Sequence, residues 1–280
     1  MLCWLVDRPL RGRFQNSERE LKFPRLAKAL WFWIIRLNHM STHLSTKPIP
    51  PAERLIFALD VQSVDEAKAL VLQLGDAVRF YKIGLELFMA GGYFELLDWL
   101  ALQGKKIFVD LKFFDVPETV KRAVAALKGR PVEFCTVHGN QGIMEAAVSA
   151  GSGVKILGVT VLTSLDQGDL ADLGFACDTA ELVLSRAKRA LEAGCAGVIS
   201  SGLEAARLRE SLGDRLLIIS PGIRPVENRP ADDQKRIVTP SAAFQAGADY
   251  IVVGRPIRNA ADPRAAAQAI QAEIASVFAV

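Results

Sequence analysis

Eight short apolar runs, each followed by a helical stretch, predict an α/β protein built as a single (β/α)8 TIM barrel. The runs are nearly continuously hydrophobic, as strands buried on both faces are. No G-x-G-x-x-G turn follows the first run, which weighs against an open doubly wound sheet.

In order, the predicted strands are Arg54–Asp60, Arg79–Gly84, Lys105–Leu111, Val132–His138, Val154–Leu162, Gly197–Ser200, Arg215–Ser220 and Asp249–Gly254. Helical signals lie between them. Ser63 with Asp65 and Glu66 gives a cap and early acids. Pro117 stands where a first helical residue is tolerated, ahead of Glu118–Leu127. Thr179–Ala193 stops at Gly194, and Thr239-Pro240 opens Ser241–Ala246, which stops at Gly247.

Composition narrows the function classes. Half of the 280 residues are hydrophobic, enough for a large core. The net charge of +3 is too small to point to nucleic acid, and it is local. Residues 1–39 hold eight Lys/Arg against three acids, a balance of +5, so the remaining residues sum to −2. Cys3, Cys135, Cys177 and Cys195 show no C-x-x-C spacing, which fits a reducing, cytoplasmic compartment with no disulfide framework. No stretch of about 18 apolar residues suggests a membrane span. With His39, His43 and His138 the only histidines, no histidine-rich metal site can form, and His138 reads as structural.

Residues 1–50 form an N-terminal extension and residues 51–280 the barrel domain. The extension reads as poorly ordered or as lying upstream of a true start at Met40, and Pro48, Pro50 and Pro51 mark a linker. The other reading takes the basic, aromatic run Lys22–Leu37 as a membrane-surface or targeting helix. N-terminal sequencing of the native protein separates the two.

Active sites of such barrels lie at the carboxyl ends of the strands. There this sequence turns polar. Asp60 ends the first strand, Lys82 lies near the end of the second, and Asp110 and Lys112 end the third. Two residues apart on a strand, Asp110 and Lys112 face one way by alternation. If that way is inward, Asp60, Lys82, Asp110 and Lys112 make an alternating array of acids and ammoniums. A lysine in such an array can protonate a developing carbanion while carboxylates hold it charged. A purely structural ring of ion pairs is the competing reading, but buried charge is costly unless used. Asp115, just beyond, either caps the next helix or belongs to the site.

The loops after strands seven and eight, the usual phosphate cradle, carry Gly222, Arg224, Gly254 and Arg255. Glycines let backbone N–H groups approach an anion, and arginine offers a bidentate fork. The polar segment Gly222–Ile237 is long enough to be a lid.

The run Asp110-Leu111-Lys112-Phe113-Phe114-Asp115-Val116-Pro117-Glu118-Thr119 resembles the D-x-K-x-x-D-I-P-x-T signature of the orotidine 5′-monophosphate decarboxylase family. Ala58-Leu59-Asp60, Lys82-Ile83-Gly84, Val159–Ser164, Pro221–Pro225, Asp233–Arg236 and Val253–Ile257 extend the likeness across roughly residues 54–278. Val116 replaces the commoner isoleucine, and residues 1–50 have no counterpart.

The resemblance implies conversion of orotidine 5′-monophosphate to UMP and CO₂ in pyrimidine biosynthesis, with no metal or organic cofactor. It implies that Lys112 protonates C6 and that Asp110 sits beside the substrate carboxylate. Asp60 and Lys82 would bind ribose hydroxyls, and Thr163 with Ser164 the pyrimidine. Arg224, Gln234, Gly254 and Arg255 would form the phosphate end and its lid. Asp115 and Thr119 would cross into the neighbouring subunit's site, making the enzyme a homodimer; on that point the resemblance displaces the capping reading. Two alternatives compete. One is a Mg²⁺-dependent sugar-phosphate decarboxylase or aldolase on the same barrel, against which Asp115-Val116-Pro117-x-Thr119 speaks. The other is a non-catalytic nucleotide-binding barrel.

Overall fold

The computed structural model describes residues 43–225 and 237–279. The predicted extension up to residue 42, Gln234 and residues 226–236 of the predicted lid lie outside the described residues.

The eight predicted strands form, each shorter than its apolar run except the third, which runs two residues past its predicted end at Leu111. They are β1 Leu55–Ala58, β2 Phe80–Gly84, β3 Lys106–Phe113, β4 Phe134–His138, β5 Lys155–Val159, β6 Gly197–Ile199, β7 Leu217–Ser220 and β8 Tyr250–Val253. Each pairs in parallel with the next, and β8 pairs with β1, closing the barrel. The fold is a (β/α)8 TIM barrel.

Helices follow where the caps predicted them. α1 Val64–Leu74 starts at Ser63, whose side chain accepts from the Glu66 N–H. α2 Leu85–Met89 and α3 Tyr93–Leu102 follow β2. α4 Pro117–Ala125 begins at its proline, and α5 Gln141–Ser149 follows β4. A short α6 Gln167–Asp172 precedes α7 Thr179–Glu192, and α8 Ala205–Leu212 follows β6. α9 Pro240–Gln245 is capped by Thr239, α10 Arg255–Arg258 follows β8, and α11 Pro263–Phe278 closes the described chain.

Strand alternation sorts the core into two layers. One set, including Ile56, Phe80, Phe108, Phe134, Leu157 and Tyr250, fills the barrel interior. Rings of Phe80 and Phe134 stack at 5.2 Å, and Tyr250 meets Phe134 edge-on at 5.4 Å. The barrel is therefore filled with rings, and a ligand can enter only at its mouth. The alternate set, such as Leu55, Phe57, Tyr81, Ile83 and Val198, faces the helices.

Residues 43–50 pack against the amino ends of the strands. Ser45 Oγ donates to Asp249 Oδ1 at 2.5 Å, and Lys47 Nζ lies 3.3 Å from both Asp249 oxygens. Arg209 Nη2 meets Asp249 Oδ2 at 2.5 Å, and the Ile218 N–H donates to the same oxygen. Asp249 is wholly buried and fully partnered.

Candidate active site

A cavity of about 600 Å³ opens at the carboxyl ends of the strands. Asp60, Lys82, Asp110 and Lys112 line it together with Thr163, Ser164, Arg224, Gly254 and Arg255. Nine predicted site residues thus meet in one chamber. Asp115 and Thr119 do not line it; both are exposed on the outer rim.

The charge array forms as a chain of ion pairs. Lys82 Nζ donates to Asp60 Oδ1 at 2.9 Å and stands 3.4 Å from Asp110 Oδ2. Lys112 Nζ donates to the same Asp110 oxygen at 2.8 Å. Asp110 is buried, whereas the Lys112 side chain keeps 34% of its surface open toward the cavity. One carboxylate oxygen therefore serves two ammoniums, and one of these can reach a ligand.

Electrostatics keep both buried groups charged. Burial alone would push the Asp110 carboxyl up, but Lys82 and Lys112, with hydrogen bonds from Lys112 and Thr136, hold it below the usual carboxylate range. Burial likewise works against the Lys82 ammonium, and Asp110 and Asp60 outweigh it, leaving its pKa raised.

Simple alternation does not bring Asp110 and Lys112 together. Val109 pairs with Cys135 and Phe113 with Val137, so Asp110, Leu111 and Lys112 stand opposite the single residue Thr136. The ladder bulges here. Lys112 takes a left-handed φ of 46°, and among the described residues it is the one non-glycine residue to do so. Such a backbone costs about 1–2 kcal/mol in a residue with a Cβ. Strain of this kind persists where the surroundings enforce it, and it gathers at functional sites.

Thr136 is absent from the sequence-derived site. Its hydroxyl donates to Asp110 Oδ1 at 2.8 Å, and the Lys112 N–H donates to that hydroxyl at 3.0 Å. The available signal was its place two residues before His138, on the inward face of β4. Arg258 was also missed; it lines the cavity and its guanidinium donates to the Asp60 carbonyl. Gly84 sits against the array: a Cβ there would lie 3.3 Å from Lys82 Nζ and 3.5 Å from Asp60 Oδ1.

Asp115 does not cap α4. Its Oδ1 accepts from the adjacent Val116 N–H at 2.6 Å, and Val116, which has no capping side chain, holds the cap position. Phe114 and Val116 beside it are 67% and 63% exposed. His138, read from the sequence as structural, does not line the cavity; its Nδ1 lies 2.9 Å from Asn140 Oδ1 and its ring 4.5 Å from that of Phe114.

At the end predicted to hold phosphate, Gly222 adopts φ 75°, a left-handed turn suited to glycine, and Arg224 is buried with Nη1 donating to the Ile223 carbonyl. Gly254 stands before α10, its hypothetical Cβ 3.2 Å from that of Ala58, so the backbone passes close to β1. Three cysteines, Cys135, Cys177 and Cys195, are unpaired. Among the described residues no His, Cys, Asp and Glu side chains cluster as a metal site, and no helix is long and apolar enough to cross a membrane.

The profile of the orotidine 5′-phosphate decarboxylase / HUMPS family matches residues 53–270. An orotidine 5′-phosphate decarboxylase of Methylococcus capsulatus is 67% identical over 240 residues, which cover 86% of this chain and 99% of that protein. The enzyme of the same name from Nitrobacter winogradskyi is 51% identical over 228 residues, covering 81% and 94%. The crystal structure of orotidine 5′-phosphate decarboxylase from Lactobacillus acidophilus aligns with a TM-score of 0.70 at 37% identity, over 79% of this chain and 99% of that one.

Proposed function

The chain belongs to the orotidine 5′-phosphate decarboxylase / HUMPS family, and from that premise we propose that it converts orotidine 5′-monophosphate to UMP and CO₂ without a cofactor. The observation that carries this reading is the Lys112 ammonium, held 2.8 Å from Asp110 and open to the chamber. When the bond from C6 to the carboxylate breaks, its electron pair stays on C6. Lys112 delivers a proton to that carbon, and CO₂ leaves. With no electron sink in the substrate's partner groups, fixed positive charge must stabilise the carbanion, and Lys112 is the group placed to do so.

Asp110 holds Lys112 charged and placed, beside the departing carboxylate. Asp60 and Lys82 bind the ribose hydroxyls, and Thr163 and Ser164 meet the pyrimidine. Arg224, Gln234, Gly254 and Arg255 take the phosphate. Phosphate binding far from C6 supplies energy that is spent at the reacting carbon. Three unpaired cysteines are in keeping with a reducing, cytoplasmic setting.

The test is loss of orotidine monophosphate absorbance with purified protein, EDTA present throughout. Turnover that survives EDTA supports the reading. Activity that appears only with added Mg²⁺ assigns the barrel to the metal-dependent branch, and UMP binding without turnover makes it a nucleotide-binding barrel.

The enzyme works as a homodimer in this reading, with Asp115 and Thr119 reaching into the partner's chamber. Their exposure outside their own cavity, next to exposed Phe114 and Val116, supports it. Mixing inactive Lys112→Ala and Asp115→Ala chains should restore activity, because hybrid dimers rebuild one intact site. Mixtures that stay inactive would argue for self-contained sites.

A further inference from the structure

We infer that Thr136 is a positioning residue for the decarboxylation, the single hydroxyl that fixes Lys112 and Asp110 relative to one another. The inference rests on the proposed function and deepens it. Thr136 lies on β4 with none of its surface exposed, opposite the three-residue bulge of β3. The register shift removes the regular ladder partner of the Lys112 N–H, and the Thr136 hydroxyl replaces it at 3.0 Å. An N–H can only donate, so at that contact the hydroxyl oxygen accepts. Its own proton is then left for Asp110 Oδ1, 2.8 Å away.

One side chain therefore does two things. It holds the left-handed backbone that swings Lys112 back toward the cavity. It also turns the Asp110 carboxylate, so that Oδ1 is used up and Oδ2 faces both ammoniums. A misplacement of about 1 Å in such a pair can cost on the order of 100-fold in rate. Thr136 stays off the cavity wall, so it acts through Lys112 and Asp110 rather than on substrate.

The charged or titratable groups around Asp110 are Asp60, Lys82, Lys112, Tyr93 and Cys135. The hydrogen bond from Thr136 is among the influences that lower the Asp110 pKa. Its loss moves that pKa upward, by a route separate from catalysis.

The test compares Thr136→Val, which keeps the shape and loses the hydroxyl, with Thr136→Ser, which keeps it. Thr136→Val should lower kcat by roughly 10- to 100-fold with KM within about 3-fold, and Thr136→Ser should recover most of the loss. In the substrate-free proteins, the carboxyl ¹³C titration of Asp110, assigned with Asp110→Asn, should move to higher pH in Thr136→Val and stay in place in Thr136→Ser. If Thr136→Val does not fold, Thr136→Cys, with a weakly donating thiol, replaces it. An unmoved Asp110 titration overturns the inference whatever the activity. So does a Thr136→Val enzyme as active as Thr136→Ser where the wild type turns over. A wild type without turnover sinks the functional reading instead, and the titration still decides for Thr136.

Discussion

Two buried charge clusters lie at opposite ends of this barrel, and they differ in what is left open. At the amino ends, Asp249 is wholly enclosed, with Arg209, Lys47, Ser45 and a backbone N–H directed at its two oxygens. At the carboxyl ends, Asp110 is as well partnered, yet the array it anchors forms the wall of a 600 Å³ chamber. Asp249 and Gly254 bracket β8, so the two ends are only about 17 Å apart at 3.3 Å per residue. Charge burial is common to both. Strain and access separate them: the upper cluster includes a non-glycine residue at φ 46° and an ammonium that faces a cavity. Buried ions by themselves therefore say little about function, whereas a strained backbone that presents a charge to open space says a good deal.

Breaking the upper cluster gives the largest effect. Lys112→Ala should lower kcat by at least about 1,000-fold, because the proposed proton donor and the charge proposed to face C6 are lost together. UMP affinity should change far less, since the residues proposed to take the phosphate are untouched. Folding should survive, because Asp110 keeps Lys82 at 3.4 Å and Thr136 at 2.8 Å. Stopped assays for CO₂, paired with UMP titration, measure both; retained turnover removes Lys112 from its role.

The mirror experiment breaks the lower cluster. Asp249→Asn leaves Arg209 and Lys47 facing a neutral amide in a sealed site. Removing one partner of a buried pair costs about 3–5 kcal/mol, so the urea midpoint should drop sharply. Turnover per folded molecule should stay within about 2-fold, since no residue of the chamber moves. A large loss of kcat in protein that remains folded would mean that the two ends are coupled and the comparison is too simple.

The two clusters were unequally legible. The strands were plain because parallel strands buried on both faces read as unbroken Val/Ile/Leu/Phe runs. Asp60, Lys82, Asp110 and Lys112 stood out because they gather at the carboxyl ends of three consecutive runs, where sites of such barrels lie. The bulge was hidden: nothing in Asp110-Leu111-Lys112 announces that the ladder shifts, and alternation gave the right convergence for the wrong reason. Thr136 was hidden because threonine is an ordinary strand residue. The lower cluster was hidden for another reason. Asp249, Arg209 and Lys47 are far apart in sequence, and Lys47 lies in a segment read as part of the extension, so only the closed barrel brings them together.

The smallest effect separates the clusters by their lysines. Burial works against the charge of Lys82, but Asp110 and Asp60 outweigh it and raise its pKa above the ordinary 10.5. What Lys82 contributes to stability is therefore fully present below 10.5 and is lost only as pH climbs through a higher folded value. For Lys47 burial also leads, and Arg209 adds to it, so that Asp249 does not compensate and the pKa falls below 10.5. Between its folded value and 10.5 the folded chain holds fewer protons at Lys47 than the unfolded chain, so its contribution to stability rises with pH there. In an alkaline titration followed by lysine ε-carbon NMR shifts, assigned with Lys47→Met and Lys82→Met, Lys47 should lose its proton first. The reverse order would place the stronger ion pairing at the sealed end and undo the distinction between a floor that tolerates a neutral amine and a mouth that holds its ammonium.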